Sequence, residues 1–155
     1  MTAVVPLHAV RGIFYRAVDP LHAADALSGS RGDGRYSRRG QPTLYLSASR
    51  EGVEAAMVAH RAADERERVV LPFSVEANRI ADLRDPETFA RIREAAGDPF
   101  ADWQGVAAPP SWRVRDRIEA QGAEGLIDPS RKAPGLWHLV LFRWNVPGGP
   151  IVRPQ

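Results

Sequence analysis

Arginine, glycine, serine and tyrosine are the residues of this chain whose types and spacing could do chemistry. The stretch from Leu27 to Gln41, LSGSRGDGRYSRRGQ, sets Arg31, Arg35, Arg38 and Arg39 among Gly29, Gly32, Gly34 and Gly40. A guanidinium grips phosphate with a planar fork of donors, and glycine lets the backbone approach a ligand closely. The stretch is therefore a candidate anion site. Lys132 is the only lysine among 21 basic residues, a bias that genomic composition explains for most of the arginines.

Other chemistries are excluded or left without support. The chain has no cysteine, so disulfides, thiolate metal sites and a cysteine nucleophile are ruled out. His8, His22, His60 and His138 have no metal-ligand spacing, and no metal is expected. Ser130 does not sit in a Gly-x-Ser-x-Gly elbow, so it is not read as a hydrolase nucleophile. Neither GxGxxG nor GxxxxGKS is present, which argues against a Rossmann or P-loop domain. A net charge of +2 is a weak argument for nucleic-acid binding. Trp103, Trp112, Trp137 and Trp144 read as core or partner-interface residues.

Several elements must position these residues. Gly12–Val18 reads as a strand stopped by Asp19-Pro20, and Thr43–Ser47 as a second strand. A helix follows, with Ser49 as its N-cap, Glu51 and Glu54 in its first turns, and an apolar stripe of Val53, Ala56, Met57 and His60. Val69–Val75 is a third strand, in which Pro72 suggests an edge position or a bulge. Asn78–Leu83 is a further extended segment. Asp85-Pro86 starts a helix that Gly97 ends, and Ser111–Gln121 is an amphipathic helix closed by Gly122. Gly125–Ile127 is a strand entering Asp128-Pro129-Ser130-Arg131, Trp137–Trp144 is the last strand, and residues 145–155 read as an irregular tail.

The 155 residues suit one domain with one substantial core, of mixed α/β (α+β) class. Hydrophobic residues make up 44% and charged residues 26%, the proportions of an ordinary globular domain. No signal peptide or apolar run of membrane-spanning length is seen, and a cytoplasmic protein is expected, with no membrane partner.

The order of the pieces resembles the RES-type toxins. An aromatic-Arg strand (Phe14-Tyr15-Arg16-Ala17) comes first, then a Gly/Arg loop (Gly34-Arg35-Tyr36-Ser37), then a tyrosine strand (Leu44-Tyr45-Leu46-Ser47). A helix follows. Gly125-Leu126-Ile127-Asp128-Pro129-Ser130-Arg131 and Leu139-Val140-Leu141-Phe142 complete the pattern, which spans about residues 14–142. The resemblance implies an ADP-ribosyltransferase-like twisted β core flanked by helices around an NAD cleft. It implies the toxin of a toxin–antitoxin module, consuming NAD+ as substrate. ADP-ribose would pass to a protein acceptor or to water or phosphate. The implied partner is an Xre-like antitoxin that covers the active site; nucleic acid would be met only through it.

On that resemblance Arg16 would bind the pyrophosphate, against the alternative of a surface ion pair. Arg35 would be a second phosphate or ribose contact, or else part of a solvated loop. Tyr45 would face the cleft and stack on nicotinamide if Leu44 and Leu46 face the core. Tyr36 would stack on adenine or ribose. Ser130 would bond a ribose hydroxyl or the carboxamide, with Arg131 beside it, or serve as a turn-capping serine. The family glutamate lies eleven residues beyond the strand tyrosine, and Ala56 stands there in this chain. Either Glu51 or Glu54 turns inward through a shifted helix register, or the carboxylate is absent and the two are helix N-terminal charges. That gap keeps a catalytically weakened binding module open as an alternative. An RNA-targeting toxin has no motif to support it.

Overall fold

The computed structural model describes residues 4–57 and 68–155. Among these, β1 (Leu7–Val18), β2 (Leu44–Ser47), β3 (Val69–Asp82), β4 (Gly125–Pro129), β5 (Trp137–Leu141) and β6 (Ile151–Pro154) form one mixed sheet. Three helices accompany it: α1 (Arg50–Met57), α2 (Pro86–Ala96) and α3 (Pro110–Ala120). A 3-10 turn at Pro20–Asp25 follows β1. Among the described residues no helix is long and apolar enough to cross a membrane.

The sheet runs β1-β2-β5-β4-β3-β6, and β1 also pairs with β3, so five strands close on themselves. Closure follows from two long strands. β1 and β3 are antiparallel from Leu7 opposite Ala81 to Val18 opposite Val69. Both exceed the sequence expectation. Glu76, Asn78 and Arg79 interrupt the apolar pattern of β3, yet pairing with β1 resumes beyond them across a register shift between His8 and Val10. Pro72 is tolerated for a geometric reason. Its carbonyl accepts from Gln155 N at 3.1 Å, so the absent N–H also points to the β6 side, where that strand ends.

Side-chain alternation then builds two cores. Phe14, Leu44, Leu46, Phe73, Ile80, Ile127, Leu139 and Leu141 fill the inside of the closed sheet. Ala81, Leu126 and Val140 face outward and pack with Ile92 of α2 and Val114 and Ile118 of α3. Burying each such aliphatic side chain contributes about 1.5–3 kcal/mol. Gly125 is required at its place because a Cβ there would collide with the Val140 carbonyl oxygen on the neighbouring strand.

The helix signals operate as read. Ser49 Oγ accepts from Gly52 N at 3.0 Å, capping α1. Asp85 caps α2 through Thr88 N, Pro86 opens the helix, and Gly97 ends it at φ 104°. The α1 stripe is narrower than expected: Gly52 and Val53 are buried, Ala56 is exposed, and His60 lies outside the described residues.

The tail 145–155 is a correction. Ile151–Pro154 forms β6, antiparallel to β3. Asn145 explains it: its side chain donates to Val152 O at 2.9 Å and accepts from Val152 N at 2.8 Å. The carboxamide replaces a missing strand neighbour, which composition alone does not reveal.

Candidate active site

β1 and β2 share the single register pair Tyr15–Ser47, whereas β2 is fully laddered to β5 on its other side. The result is a seam in the closed sheet. Arg16 lies beside that one pair, and its Nη1 donates to the Tyr45 main-chain oxygen at 2.9 Å. Its Nε is buried with no hydrogen-bond partner. Burial, and then the nearby Arg68 cation, push the Arg16 guanidinium below its ordinary range. A desolvated cation with an unused donor is disposed to take an anion.

Leu44 and Leu46 face the inner core, so Tyr45 projects to the outer face as the alternation requires. Its hydroxyl accepts from Tyr36 N at 3.2 Å and shares a 2.8 Å hydrogen bond with Ser37 Oγ. A Cβ on Gly34 would stand 2.6 Å from the Tyr45 hydroxyl, so glycine there is a packing requirement. The Gly/Arg loop is thus pinned to β2 by the strand tyrosine.

Tyr36 departs from its expected role. It is fully buried, with no ring face to offer a ligand, and its hydroxyl donates to Asp128 at 2.9 Å. Burial and then Asp128 hold its phenol well above the usual range. Tyr36 is a structural tie between loop and β4.

Asp128 is the centre of this tie. The same carboxylate is paired with Arg131 at 3.0 Å, and Arg131 lies over the Phe100 ring at 5.0 Å. Arg35 donates to the carbonyls of Pro99 and Ala101 at 3.1 and 2.9 Å. Arg35 and Arg131 therefore stand on one side of Asp128, both engaged with the segment Pro99–Ala101. Ser130 Oγ accepts from Lys132 N at 3.3 Å and Ala133 N at 3.2 Å, so the turn-capping use is the one seen. Its O–H still points to no described acceptor.

The two candidate glutamates lie on the helix whose Arg50 stacks on Tyr15 and whose Gly52 packs against Ser47, the pair at the seam, but both side chains are exposed. Glu51, Glu54 and Ala56 are all exposed on α1. No inward shift of the helix register occurs, because Ser49 fixes the start of the helix and Val53 its buried side.

Sequence reasoning missed a polar row across four strands. Tyr15, Ser47, His138 and Asp128 are successive register partners on β1, β2, β5 and β4 and share one face. Ser47 Oγ and His138 Nδ1 are 2.8 Å apart. The available signal was parity, since His138 and Val140 point to the face of the strand WHLVL opposite Leu139 and Leu141. Arg115 was missed as well. Fully buried under α3, it donates to Tyr36 O at 3.1 Å and Pro42 O at 2.9 Å, bonds Thr43 Oγ1, and lies over Phe142 at 4.6 Å. It clamps both ends of the segment that leads into β2.

A closed mixed sheet with an arginine at its open seam, backed by helices and a Gly/Arg loop, defines a mixed α+β domain with a β core flanked by helices. The chain belongs to the RES domain family, whose model matches residues 13–155 and so takes in β6. The fold is similar to that of a chain in the crystal structure of the M. tuberculosis MbcT–MbcA toxin–antitoxin complex. The TM-score is 0.66 at 18% identity, covering 96% of this chain and 84% of that one. No curated protein matches the sequence.

Proposed function

We propose that this chain is the toxin of a toxin–antitoxin module and cleaves the nicotinamide–ribose bond of NAD+. The observation that carries the reading is Arg16: a buried guanidinium at the β1–β2 seam, bonded once to Tyr45 O, with Nε unpartnered. A pyrophosphate oxygen would supply the missing acceptor and offset the repulsion from Arg68. RES-type membership and a structural neighbour taken from a toxin–antitoxin complex support the same reading.

The other residues divide the work. Tyr45 and Arg16 set the width of the seam. Ser130 retains an O–H that can donate to a ribose hydroxyl or the carboxamide. Arg35 and Arg131 add positive charge near Asp128 for the second phosphate or ribose. As the glycosidic bond lengthens, the ribose becomes oxocarbenium-like and the departing nicotinamide takes the electron pair. ADP-ribose then passes to water, phosphate or a side chain of a target protein. The partner antitoxin is a small Xre-like protein that covers the seam.

A second reading has a specific observation behind it. With Ala56 exposed and both nearby glutamates turned to solvent, the chain could bind NAD+ without cleaving it. One experiment separates the two. Purified protein is incubated with NAD+, with and without phosphate and with cell extract, while nicotinamide release and ADP-ribosylated bands are followed. Release in any mixture supports the enzyme. Saturable NAD+ binding without release supports the binding module, and the absence of both binding and release overturns the NAD+ reading.

A further inference from the structure

We propose that residues 98–106 are an autoinhibitory strap, which lays two carbonyl oxygens on Arg35 in the place of the phosphate oxygens of a nucleoside diphosphate that displaces it. The inference rests on the reading that gives Arg35 to an anion, and it deepens that reading.

Two arginines hold the middle of the strap. Arg35 Nη1 donates to Pro99 O at 3.1 Å and to Ala101 O at 2.9 Å. Its Nε and Nη2 bond to no described residue. Arg131 is tied to Asp128 through both Nη atoms, at 3.0 and 3.3 Å, and lies over the Phe100 ring at 5.0 Å. Phe100 also meets Phe89 of α2, with ring centroids 4.8 Å apart. Oxygens gathered before a guanidinium are what a phosphate offers, but carbonyls bring no full charge.

Arg35 is short of countercharge where it stands. Burial and then the Arg131 cation push its guanidinium below the ordinary range, while Tyr36, Asp128 and Asp102 act against them. Asp128 already accepts from Tyr36 and Arg131. Asp102 belongs to the strap, which so brings a carboxylate of its own near the cation. A diphosphate offsets the repulsion between Arg35 and Arg131 with negative charge on the very oxygens that bond.

The ends of the strap are fixed and its middle is not. Arg113 of α3 pins both ends: Nε donates to Ala96 O at 3.2 Å and Nη1 to Ala108 O at 3.4 Å. Gly97 and Gly105, at φ 104° and 74°, stand at the two hinge positions, where glycine turns without strain. Bonds within the strap are local. Phe100 N donates to Asp98 Oδ1 at 2.9 Å, Ala101 N to Asp98 O at 3.2 Å and Val106 N to Trp103 O at 3.3 Å. Lifting the middle breaks the two Arg35 bonds and unpacks Pro99 and Phe100. A ligand on Arg35 replaces the bonds.

The test uses ADP as the probe. Its affinity is measured by calorimetry, and amide hydrogen exchange is followed over residues 98–106, in wild type, Phe100→Ala, Asp102→Asn and Arg35→Ala. ADP is expected to speed exchange at Phe100 and Ala101 in wild type, because the strap leaves as the ligand arrives. A strap open in about one molecule in ten weakens apparent affinity about tenfold, so Phe100→Ala should tighten ADP binding by up to about that factor. Asp102→Asn, at an exposed position, should act in the same direction and serves should Phe100→Ala fail to fold. Arg35→Ala should lose roughly 10- to 100-fold in ADP affinity, as expected for a hydrogen bond to a charged group. Its strap should exchange fast without ligand. Binding of ADP that leaves residues 98–106 as protected as before, or no ADP binding in any variant, would overturn the strap. Nicotinamide release from NAD+ is followed in parallel. Release together with a strap that stays protected overturns the strap alone. Displacement by ADP without release supports the strap and overturns the NAD+-cleaving reading.

Discussion

Arg16 Nη1 donates to the Tyr45 main-chain oxygen at 2.9 Å, joining β1 to β2 beside the one register pair that the two strands share. A side chain here takes over from a ladder. The cation is held where the sheet parts, with Nε left over for a ligand.

Replacing that fork should therefore be costly even when the charge is kept. Arg16→Lys cannot hold Tyr45 O and an anion together in one plane. A lost charge-assisted hydrogen bond is worth about 1.5–3 kcal/mol, or roughly 10- to 100-fold. Nicotinamide release by Arg16→Lys should fall by that factor at subsaturating NAD+. Activity equal to wild type would remove the proposed phosphate grip.

Tyr36→Phe removes the phenolic donor to Asp128 and leaves that buried carboxylate with Arg131 alone. An unsatisfied buried acceptor costs about 1–3 kcal/mol. Urea unfolding should show a lower midpoint with an unchanged slope. Since the Tyr36 ring has no exposed face, NAD+ affinity should change less than stability does.

Arg115→Ala is expected to be the most damaging of these substitutions. It opens a cavity beneath α3 and strips donors from Tyr36 O, Pro42 O and Thr43 Oγ1. Each buried acceptor left unsatisfied costs about 1–3 kcal/mol, so a loss of about 3–5 kcal/mol is expected. Thermal unfolding measures it, and proteolysis between Arg31 and Gln41 should accelerate as the clamp is lost.

Glu51→Ala and Glu54→Ala test the absence of a carboxylate contribution from α1. Both side chains are exposed, and surface substitutions of this kind stay within about 0.5 kcal/mol. Nicotinamide release should stay close to wild type, since neither side chain is held by a partner in the buried part of the site. A large loss in either variant would show that α1 moves inward when substrate binds.

Acid should weaken the fold through His138. Its folded pKa lies below the ordinary 6.5, because burial disfavours the imidazolium. On acidification the unfolded chain takes up a proton near pH 6.5 that the folded chain resists, so stability is lost as pH falls from there. His138→Asn should show a smaller decline over the same interval in denaturant midpoints.

Much of the architecture was legible because it depends on local rules. Ser49, Asp85-Pro86 and Gly97 set helix limits through backbone donors and positive φ, and these act over a few residues. The alternation in Leu44-Tyr45-Leu46 set Tyr45 on the face opposite the two leucines, and the structure puts the leucines inside. Ser130 read as a ribose or carboxamide contact, with turn capping as the alternative, and its oxygen does cap the turn. Where expectation failed, the decisive partner was remote in sequence. Tyr36 read as a loop residue that would stack on adenine or ribose, but its acceptor Asp128 is 92 residues away. Asn145 sat in an apparently irregular tail because nothing local shows a carboxamide completing a strand.

The sequence by itself determined the family pattern, the helix limits, the inward parity of the strands and the replacement of the family glutamate by Ala56. These are properties of residue type, order and short-range backbone geometry. Only the tertiary structure decided that the sheet closes through β1 and β3, leaving Arg16 at a seam. It likewise decided that Ser47, His138 and Asp128 form one row. Register between strands is set by side chains on partners far apart in the chain, so a polar row across β2, β5 and β4 exists only once the sheet has formed.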